Sequence, residues 1–217
     1  MTDINFHYLF GLPVLITSID SNSYDKEKLL DTINKNYEKQ KIRANSKTTQ
    51  LFKTDIHNSN ADEQNPLFEK LDYTSVSKCY NKPIEKYLSN ITYPQELKYN
   101  FRIHNYTAVK HNSFMNPHIH PNCDFAMVHY VSFDSTQHLS TVFLNPYFFS
   151  GFIRNETTLI NALHKDSVAS SWVYEEWVYK VKEDDVIIFP SILKHYIRNL
   201  DSDKLRVTFA SNISINK

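Results

Sequence analysis

Glycine is scarce in this sequence, since Gly11 and Gly151 are the only two among 217 residues. Turns that need a positive φ angle must therefore use another residue. Asparagine tolerates that conformation better than most residues that carry a Cβ atom. It is plentiful in segments with a loop-like composition, such as Asn58-Ser59-Asn60 and the surroundings of Asn112. We therefore expect asparagine to occupy some of the positions that glycine takes in other proteins.

Cysteine is equally rare, and Cys79 and Cys123 are too few for the disulfide framework of a small secreted domain. No apolar run approaches the ~20 residues of a membrane-spanning helix. The start, Met1-Thr2-Asp3-Ile4, lacks the basic segment that opens a secretory signal. These absences predict a cytoplasmic protein that does not enter a membrane.

An excess of charge is also lacking, because Lys plus Arg and Asp plus Glu number 24 each. Zero net charge does not match the basic footprint of a nucleic-acid-binding protein. With 41% apolar and 14% aromatic residues, the composition is typical of a globular chain that can bury a core. We expect one domain over residues 1–217, in which 1–95 supply a strand and supporting helices and 96–217 form a β core with the functional site.

Helical periodicity is confined to the first half of the chain. Apolar residues at helical spacing predict an amphipathic helix at 25–40. A second apolar stripe covers 76–91 but contains Pro83, and proline is tolerated in the first turn of a helix rather than in its interior. We therefore expect the second helix to begin near Asn81 or Lys82. Both helices should pack against the outside of a sheet.

Alternation of apolar and polar residues predicts strands at 10–19, 99–103, 125–133, 141–144, 172–181, 185–189 and 204–213. Many short strands joined by turns favour an antiparallel sandwich or barrel over βαβ units. The longest interruption is 145–171, which contains the aromatic run 146–152. We expect this segment to be either a loop whose rings fill a small core of their own or a lid over a substrate pocket.

A candidate metal site is present in the segment Asn116–Asp124, where His118 and His120 are separated by one residue. In an extended chain the side chains at i and i+2 point to the same side, so two imidazoles can converge on one ion. A third ligand is available in His195, which follows an apolar strand. Neutral imidazole binds Fe, Zn, Cu or Ni. Two surface imidazoles in a polar loop would give the same local pattern.

The last predicted strand carries a candidate anion site. Its alternation places Arg206, Thr208 and Ala210 on one face, and the apolar residues on the other. An arginine between small neighbours has room to bind a carboxylate in a bidentate manner. The same reasoning turns His129 away from the metal motif, and it turns Tyr130 toward the face that could contact a ligand. Other histidines that could be mistaken for ligands are His104, His111 and His138.

Taken together, these motifs resemble those of the 2-oxoglutarate/Fe(II)-dependent oxygenases, in particular prolyl-hydroxylase-like oxygenases of phages and marine bacteria. The matching residues are His118-Ile119-His120, His195 and Arg206-Val207-Thr208, in the family's order and rough spacing. Phe189-Pro190-Ser191 and Val128-His129-Tyr130-Val131 are similar to neighbouring segments of that family, and 8–14 is similar to its amino-terminal opening. The resemblance implies a mainly β fold with flanking helices and a double-stranded β-helix core, the cupin-like jelly roll.

The resemblance also implies a reaction and roles for the residues. Fe(II) would be bound by His118, His120 and His195, the three residues expected to be catalytic. The 2-oxoglutarate cosubstrate would bind the iron, with its far carboxylate held by Arg206, Thr208 and Tyr130. With O2, the enzyme would hydroxylate a C–H bond of a small-molecule or peptidyl substrate and release succinate and CO2.

One position departs from the family pattern, because His120 stands where an aspartate or glutamate is more common. Either the three histidines form the site, or Asp124 reaches the metal as in the H-x-H-x(3,4)-E motif of cupins. A cupin-type metal protein or a dioxygenase that does not use 2-oxoglutarate is therefore one alternative. A non-catalytic β-sandwich with a structural metal is another. Arg206 favours the oxygenase, because a cupin without 2-oxoglutarate does not need a carboxylate-binding arginine.

Overall fold

The computed structural model describes residues 4–44, 57–58, 68–91, 97–110, 113–147, 171, 174–200 and 202–216. Two helices and a series of antiparallel strands make up these residues. In chain order they are β1 (Asn5–Leu9), β2 (Leu12–Ser18), a short 3-10 helix (Ser21–Ser23), α1 (Lys26–Ala44), β3 (His57–Asn58), α2 (Thr74–Ile91), β4 (Tyr99–Val109), β5 (Ser113–His118), β6 (Phe125–Ser132), β7 (Val142–Leu144), β8 (Glu176–Val178), β9 (Asp185–Pro190), β10 (His195–Leu200) and β11 (Arg206–Ile215).

Two antiparallel sheets organise these strands. One sheet has seven strands in the order β1-β2-β9-β6-β11-β4-β3, and the other has four in the order β5-β10-β7-β8. Neighbours in the sheets are distant in sequence, as when β9 pairs with both β2 and β6. The prediction of a mainly β fold with flanking helices is confirmed.

The alternation along each central strand divides the apolar residues between two cores. On β6, Met127 belongs to an outer core between the large sheet and the helices, whereas Val128 belongs to an inner core between the two sheets. On β9, Ile188 and Ile187 divide in the same way. The inner core is held across the sheets by contacts such as that between Phe143 and Phe189, whose ring centroids are 5.0 Å apart. Because both faces are covered, these strands are almost wholly apolar.

Helix α2 corrects one prediction, because it begins at Thr74 and contains Pro83 in its interior. Proline removes one helical hydrogen bond, but here the apolar stripe is buried on both sides of it. At the amino-terminal side, the Tyr80 hydroxyl lies 2.9 Å from His129 Nδ1 under the sheet. The Asp72 carboxylate accepts a hydrogen bond from the backbone N–H of Thr74 at the helix start. Tertiary packing therefore keeps the turns before the proline helical.

The predicted first strand, 10–19, is wrong at its beginning, since the chain forms a hairpin of β1 and β2 around Phe10 and Gly11. Both turn residues have positive φ angles, 54° and 79°. Two-residue hairpins favour this conformation because its twist matches that of the strands, and glycine adopts it without strain. Asn122 also has a positive φ, of 65°, as expected for asparagine in a chain with little glycine. Asp184 shares this conformation.

Strands β1, β5 and β10 and the two-residue β3 were not predicted as strands, whereas the remaining strand predictions overlap β4, β6, β7, β8, β9 and β11. The predictions for Asn112 and for the aromatic run of 145–171 fall almost wholly outside the described residues. Within the described ranges, neither helix combines the length and the apolar character that crossing a membrane requires.

Candidate functional site

A cleft opens between the sheets where the inner face of the large sheet becomes polar. On β11 the residues of this face are Arg206, Thr208, Ala210 and Asn212, and all four line the cleft. The opposite face of the same strand supplies Val207, Phe209 and Ile213 to the outer core. The predicted alternation of this strand is therefore confirmed. Polar residues in place of inner-core residues leave a cavity of about 760 Å³.

Three histidines converge in the wall of this cleft. His118 is the last residue of β5 and is paired directly with His195, the first residue of β10. The backbone N–H of His120 donates to the carbonyl of Ser191 over 3.0 Å, which ties the loop after β5 to the loop before β10. One ring nitrogen from each of the three imidazoles lies within 4.8 Å of the others. In the described part of the chain, no other group of three His, Cys, Asp or Glu side chains is close enough to hold a metal.

Each of these imidazoles has its Nδ1 atom next to an oxygen acceptor. His118 Nδ1 is 2.9 Å from the Asn116 carbonyl, and His195 Nδ1 is 2.9 Å from the Leu193 carbonyl. His120 Nδ1 is 2.8 Å from Asn212 Oδ1. Since a carbonyl oxygen can only accept, Nδ1 carries the proton in each ring, and Nε2 is left with a free lone pair. This arrangement is typical of histidines that bind a metal through Nε2.

Burial favours the neutral form of these rings. His195 is 3% exposed, and burial together with the neighbouring His118 lowers its pKa to about 3. Burial also lowers the pKa of His120. Only neutral imidazole can bind a metal, so proton competition for these two rings is weak at neutral pH.

Asp124, the alternative ligand, lies elsewhere. Its carboxylate accepts a hydrogen bond of 2.7 Å from the backbone N–H of Ile215 at the end of β11. It is not part of the histidine cluster and does not line the cleft. The carboxylate therefore anchors the carboxyl-terminal strand, and the cluster consists of three imidazoles without an acidic residue.

Arg206 lies at the closed end of the cleft with no solvent exposure. Its Nε–H donates to the Leu139 carbonyl over 3.1 Å. Its two terminal nitrogens are buried and have no hydrogen-bond partner among the described residues. Burial lowers the pKa of the guanidinium, yet an arginine remains charged in proteins. A buried, unpaired positive charge is costly unless an anion completes the site.

The other two predicted cosubstrate residues differ in position. Thr208 is buried and lines the cleft two residues from Arg206 on the same strand face. The Tyr130 ring packs beneath Arg206, with its centroid 5.4 Å from the guanidinium carbon. The Tyr130 hydroxyl donates to Thr141 Oγ1 over 2.9 Å and accepts from the Thr141 backbone N–H. Tyr130 therefore supports Arg206 and Thr141, and a direct contact with a ligand stays a prediction.

Several cleft residues were missed by sequence reasoning. A bulge in β4 places His104 and Asn105 side by side in the cleft wall, because the register with β11 skips one residue there. Asn212 is the next residue on the face of β11 that carries Arg206, Thr208 and Ala210, so continuing the alternation by one step would have found it. Thr141 lines the cleft and contacts Tyr130, but no local motif in the sequence marks it.

The remaining histidines lie apart from the cluster. His129 is buried in contact with the outer core, as predicted, and its ring centroid is 6.1 Å from that of Phe209. His138 accepts from the backbone N–H of Asp134 and donates to the Lys204 carbonyl. His104 lines the cleft without joining the three converging rings. His111 lies outside the described residues.

A family model with the description "Putative 2OG-Fe(II) oxygenase" matches residues 106–212. The matched segment begins in β4, ends in β11, and contains the three histidines, Arg206 and Thr208. A search of curated protein sequences finds no match.

Solved structures of oxygenases resemble the fold. A prolyl hydroxylase from Trichoplax adhaerens, in complex with a hypoxia inducible factor peptide fragment, has a TM-score of 0.52 at 11% identity, over 93% of this chain and 83% of that one. A viral collagen prolyl hydroxylase from Paramecium Bursaria Chlorella virus-1, in complex with 2OG, has a TM-score of 0.47 at 14% identity, over 93% and 96%. An oxidoreductase of the 2OG-Fe(II) oxygenase family from Burkholderia pseudomallei has a TM-score of 0.45 at 12% identity. That match covers 68% of this chain and only 60% of the other one. The first of these likenesses confirms the predicted jelly-roll core.

Proposed function

The chain belongs to the 2-oxoglutarate/Fe(II)-dependent oxygenases, and we propose that it hydroxylates a C–H bond of a small-molecule or peptidyl substrate. In the overall reaction one oxygen atom of O2 enters the substrate and the other enters succinate, while 2-oxoglutarate loses CO2. The observation that carries this proposal is the pairing of a three-histidine cluster with a buried, unpaired guanidinium in one cleft. A metal site alone would not need the guanidinium.

We propose that His118, His120 and His195 hold the Fe(II). Their unprotonated Nε2 atoms fit the ion, since imidazole is a common ligand of iron and each ring is oriented by an acceptor at Nδ1. Three protein ligands leave the other positions of a six-coordinate ion open, as in the facial triads of this chemistry. A structural zinc site would instead be closed by four protein ligands.

We propose that Arg206 and Thr208 bind the distal carboxylate of 2-oxoglutarate. The two terminal nitrogens of Arg206 match the two oxygens of a carboxylate, and the anion would neutralise a charge that lacks a partner in the protein. Tyr130 and Leu139 restrict the guanidinium from the other side. The cosubstrate is thereby positioned before the substrate reacts.

When bound, Fe(II) supplies the activation of O2 that the amino acids themselves cannot provide. The chain contributes orientation, charge and the exclusion of water. Four of the proposed binding residues stand on paired strands, with His118 on β5, His195 on β10, and Arg206 and Thr208 on β11. The loop that carries His120 is tied to Ser191 by a backbone hydrogen bond, so the ligand positions are held by backbone contacts.

We also propose that the described elements act as one unit with the remainder of residues 1–217. Strands from the first half, β1, β2 and β3, are built into the same sheet as β11. Cys79 and Cys123 are both free thiols, in keeping with a reducing compartment, and we propose a cytoplasmic location.

The test is an anaerobic titration of the purified protein. Fe(II) is added first and 2-oxoglutarate second, and the visible charge-transfer absorption of the chelate is recorded. We expect the absorption to develop in the parent and in Asp124→Ala, which serves as the control, but not in His195→Ala. If the parent neither develops the absorption nor forms succinate in air, the proposed function is wrong.

A further inference from the structure

The described lining of the cleft contains no acidic side chain. It includes two arginines and four histidines, and its remaining residues are neutral. This is a local property, because the whole chain has as many acidic as basic residues, 24 of each. A cavity with low-dielectric walls and charge of a single sign concentrates ligands of the opposite sign.

The two arginines occupy different parts of the cleft. Arg206 is fully buried, whereas Arg102 is exposed and also lines the cleft. Arg102 is paired across the strands with Asn212, the residue whose side chain orients His120. Directly paired residues have their Cβ atoms about 5 Å apart on one face of the sheet. Arg102 therefore lies beside the histidine cluster, six residues or roughly 20 Å along β11 from Arg206.

Arg102 has no ion pair or hydrogen bond through its side chain among the described residues, which is unlike the exposed Arg198 with its partner Glu176. A buried acceptor three residues further along β4, Asn105 Oδ1, also lacks a partner in the described part of the chain. Both groups line the same cleft. They can therefore bind a ligand that offers an anionic group and a hydrogen-bond donor.

The net charge of the site also favours an anionic ligand when Fe(II) and 2-oxoglutarate are bound, a step that rests on the function proposed above. The charges of Fe(II) and of doubly ionised 2-oxoglutarate cancel each other. The three imidazoles that would bind the ion add no charge, because a metal ligand is a neutral imidazole. The acidic residue that is common in place of His120 would contribute one negative charge, so this cleft is one unit more positive. Arg206 leaves a net positive charge, to which Arg102 adds another.

We infer that the primary substrate carries an anionic group, a carboxylate or a phosphate, which binds Arg102 while the C–H bond to be hydroxylated lies beside the three histidines. The guanidinium matches the paired oxygens of either group. This inference excludes a neutral peptide segment as the preferred substrate. It also assigns the two arginines to different molecules, with Arg206 for the cosubstrate and Arg102 for the substrate.

The test measures binding rather than turnover. The protein is loaded with Zn(II) and 2-oxoglutarate, a combination that does not react, so that Arg206 is already occupied. Two panels of matched probes are then titrated by calorimetry and ligand-observed NMR. One compares N-acetyl amino acids with their neutral amides, and the other compares nucleoside monophosphates with their nucleosides. We expect a charged member of at least one panel to bind tenfold or more tightly than its neutral partner, and the panel in which this occurs identifies the anionic group.

Substitutions assign that preference to a residue. Arg102→Gln should abolish it, and Arg102→Lys should retain part of it, because an ammonium supplies charge without the paired donors. The control is Lys98→Gln, which makes the same change in charge at an exposed residue outside the cleft and should leave the preference intact.

The inference is overturned if no charged probe is preferred in either panel, or if Arg102→Gln binds the preferred probe as tightly as the parent does. Each Arg102 variant is also titrated with Fe(II) and 2-oxoglutarate. In the Arg102 variants, normal chelate absorption shows that a lost preference for anions is not caused by a damaged iron site. In the parent, normal chelate absorption without a preference for anions refutes only the anionic substrate. Absence of that absorption in the parent refutes the proposed function instead.

Discussion

Replacement of Arg206 by methionine tests whether this arginine binds a ligand or only stabilises the fold. The guanidinium is fully buried against the rings of Tyr130 and Phe133, whose centroids are 5.4 and 5.9 Å from its central carbon. Methionine has a similar reach and retains much of that packing. The change therefore removes the charge and its donors without opening a large cavity.

The expected loss in 2-oxoglutarate affinity follows from the two terminal nitrogens. Hydrogen bonds to charged groups contribute roughly 1.5–3 kcal/mol, more when their loss leaves a buried charge unpaired. Because about 1.4 kcal/mol corresponds to each factor of ten in affinity, Arg206→Met should weaken the binding of 2-oxoglutarate by about tenfold to a hundredfold. Fe(II) stoichiometry should stay near that of the parent, because Arg206 is not part of the histidine cluster.

The same substitution should not harm the stability of the protein without ligands. It removes a buried charge whose terminal nitrogens lack partners among the described residues, and it sacrifices one hydrogen bond, from Nε to the Leu139 carbonyl. That bond has a charged donor and is worth roughly 1.5–3 kcal/mol, whereas an uncompensated buried charge costs several kcal/mol. We expect a melting temperature equal to that of the parent or higher by about 2–4 °C, the shift that ~1 kcal/mol gives in a chain of this size.

Two measurements test this reasoning together. Anaerobic absorption titrations give the 2-oxoglutarate constant, and thermal unfolding is followed with and without Zn(II) and 2-oxoglutarate. Arg206→Lys should recover part of the affinity. The reasoning is refuted if Arg206→Met binds 2-oxoglutarate like the parent and is strongly destabilised without ligands, because Arg206 would then serve packing alone.

Three further predictions concern the histidines. His195→Ala should lose bound iron in a metal analysis, whereas Asp124→Ala should retain it; the opposite pattern would favour the cupin-like site. Asn212→Ala should lower iron affinity by about tenfold to a hundredfold by releasing Nδ1 of His120, and an unchanged affinity in a competition titration would show that this contact does not orient the ring. Metal-free protein should become less stable to urea as the pH falls from 7.5 to 5.5. Burial lowers the pKa of His129 and lowers that of His195 to about 3 in the folded chain. Only the unfolded chain therefore takes up protons at these histidines near pH 6.5, and this stabilises the unfolded state. Stability that does not change over this range would contradict the neutral, buried state of both rings, and His129→Gln should make the dependence shallower by up to about 1.4 kcal/mol per pH unit.

Local periodicity was sufficient for much of the site. The two-residue repeat of a strand assigned Arg206 and Thr208 to one face of β11, and it turned His129 toward the helices. These results depend only on backbone geometry and on which neighbours are apolar, and a few consecutive residues determine both. The motif around His118 and His120 is local for the same reason.

Other features arise from contacts between residues far apart in the chain, and only the tertiary structure decided them. Pro83 lies inside α2 because packing on the sheet outweighs one lost hydrogen bond. The bulge that brings His104 and Asn105 into the cleft depends on the register between β4 and β11.

The position of Asp124 outside the histidine cluster was likewise a tertiary result, since its carboxylate accepts a hydrogen bond from the backbone N–H of Ile215. The sequence shows an acidic residue near two histidines and cannot show which partner it meets. Burial of Arg206 without an anion is the same kind of fact. Hydrogen-bond partners and desolvation are set by residues from all parts of the chain, and they appear only when the strands have paired.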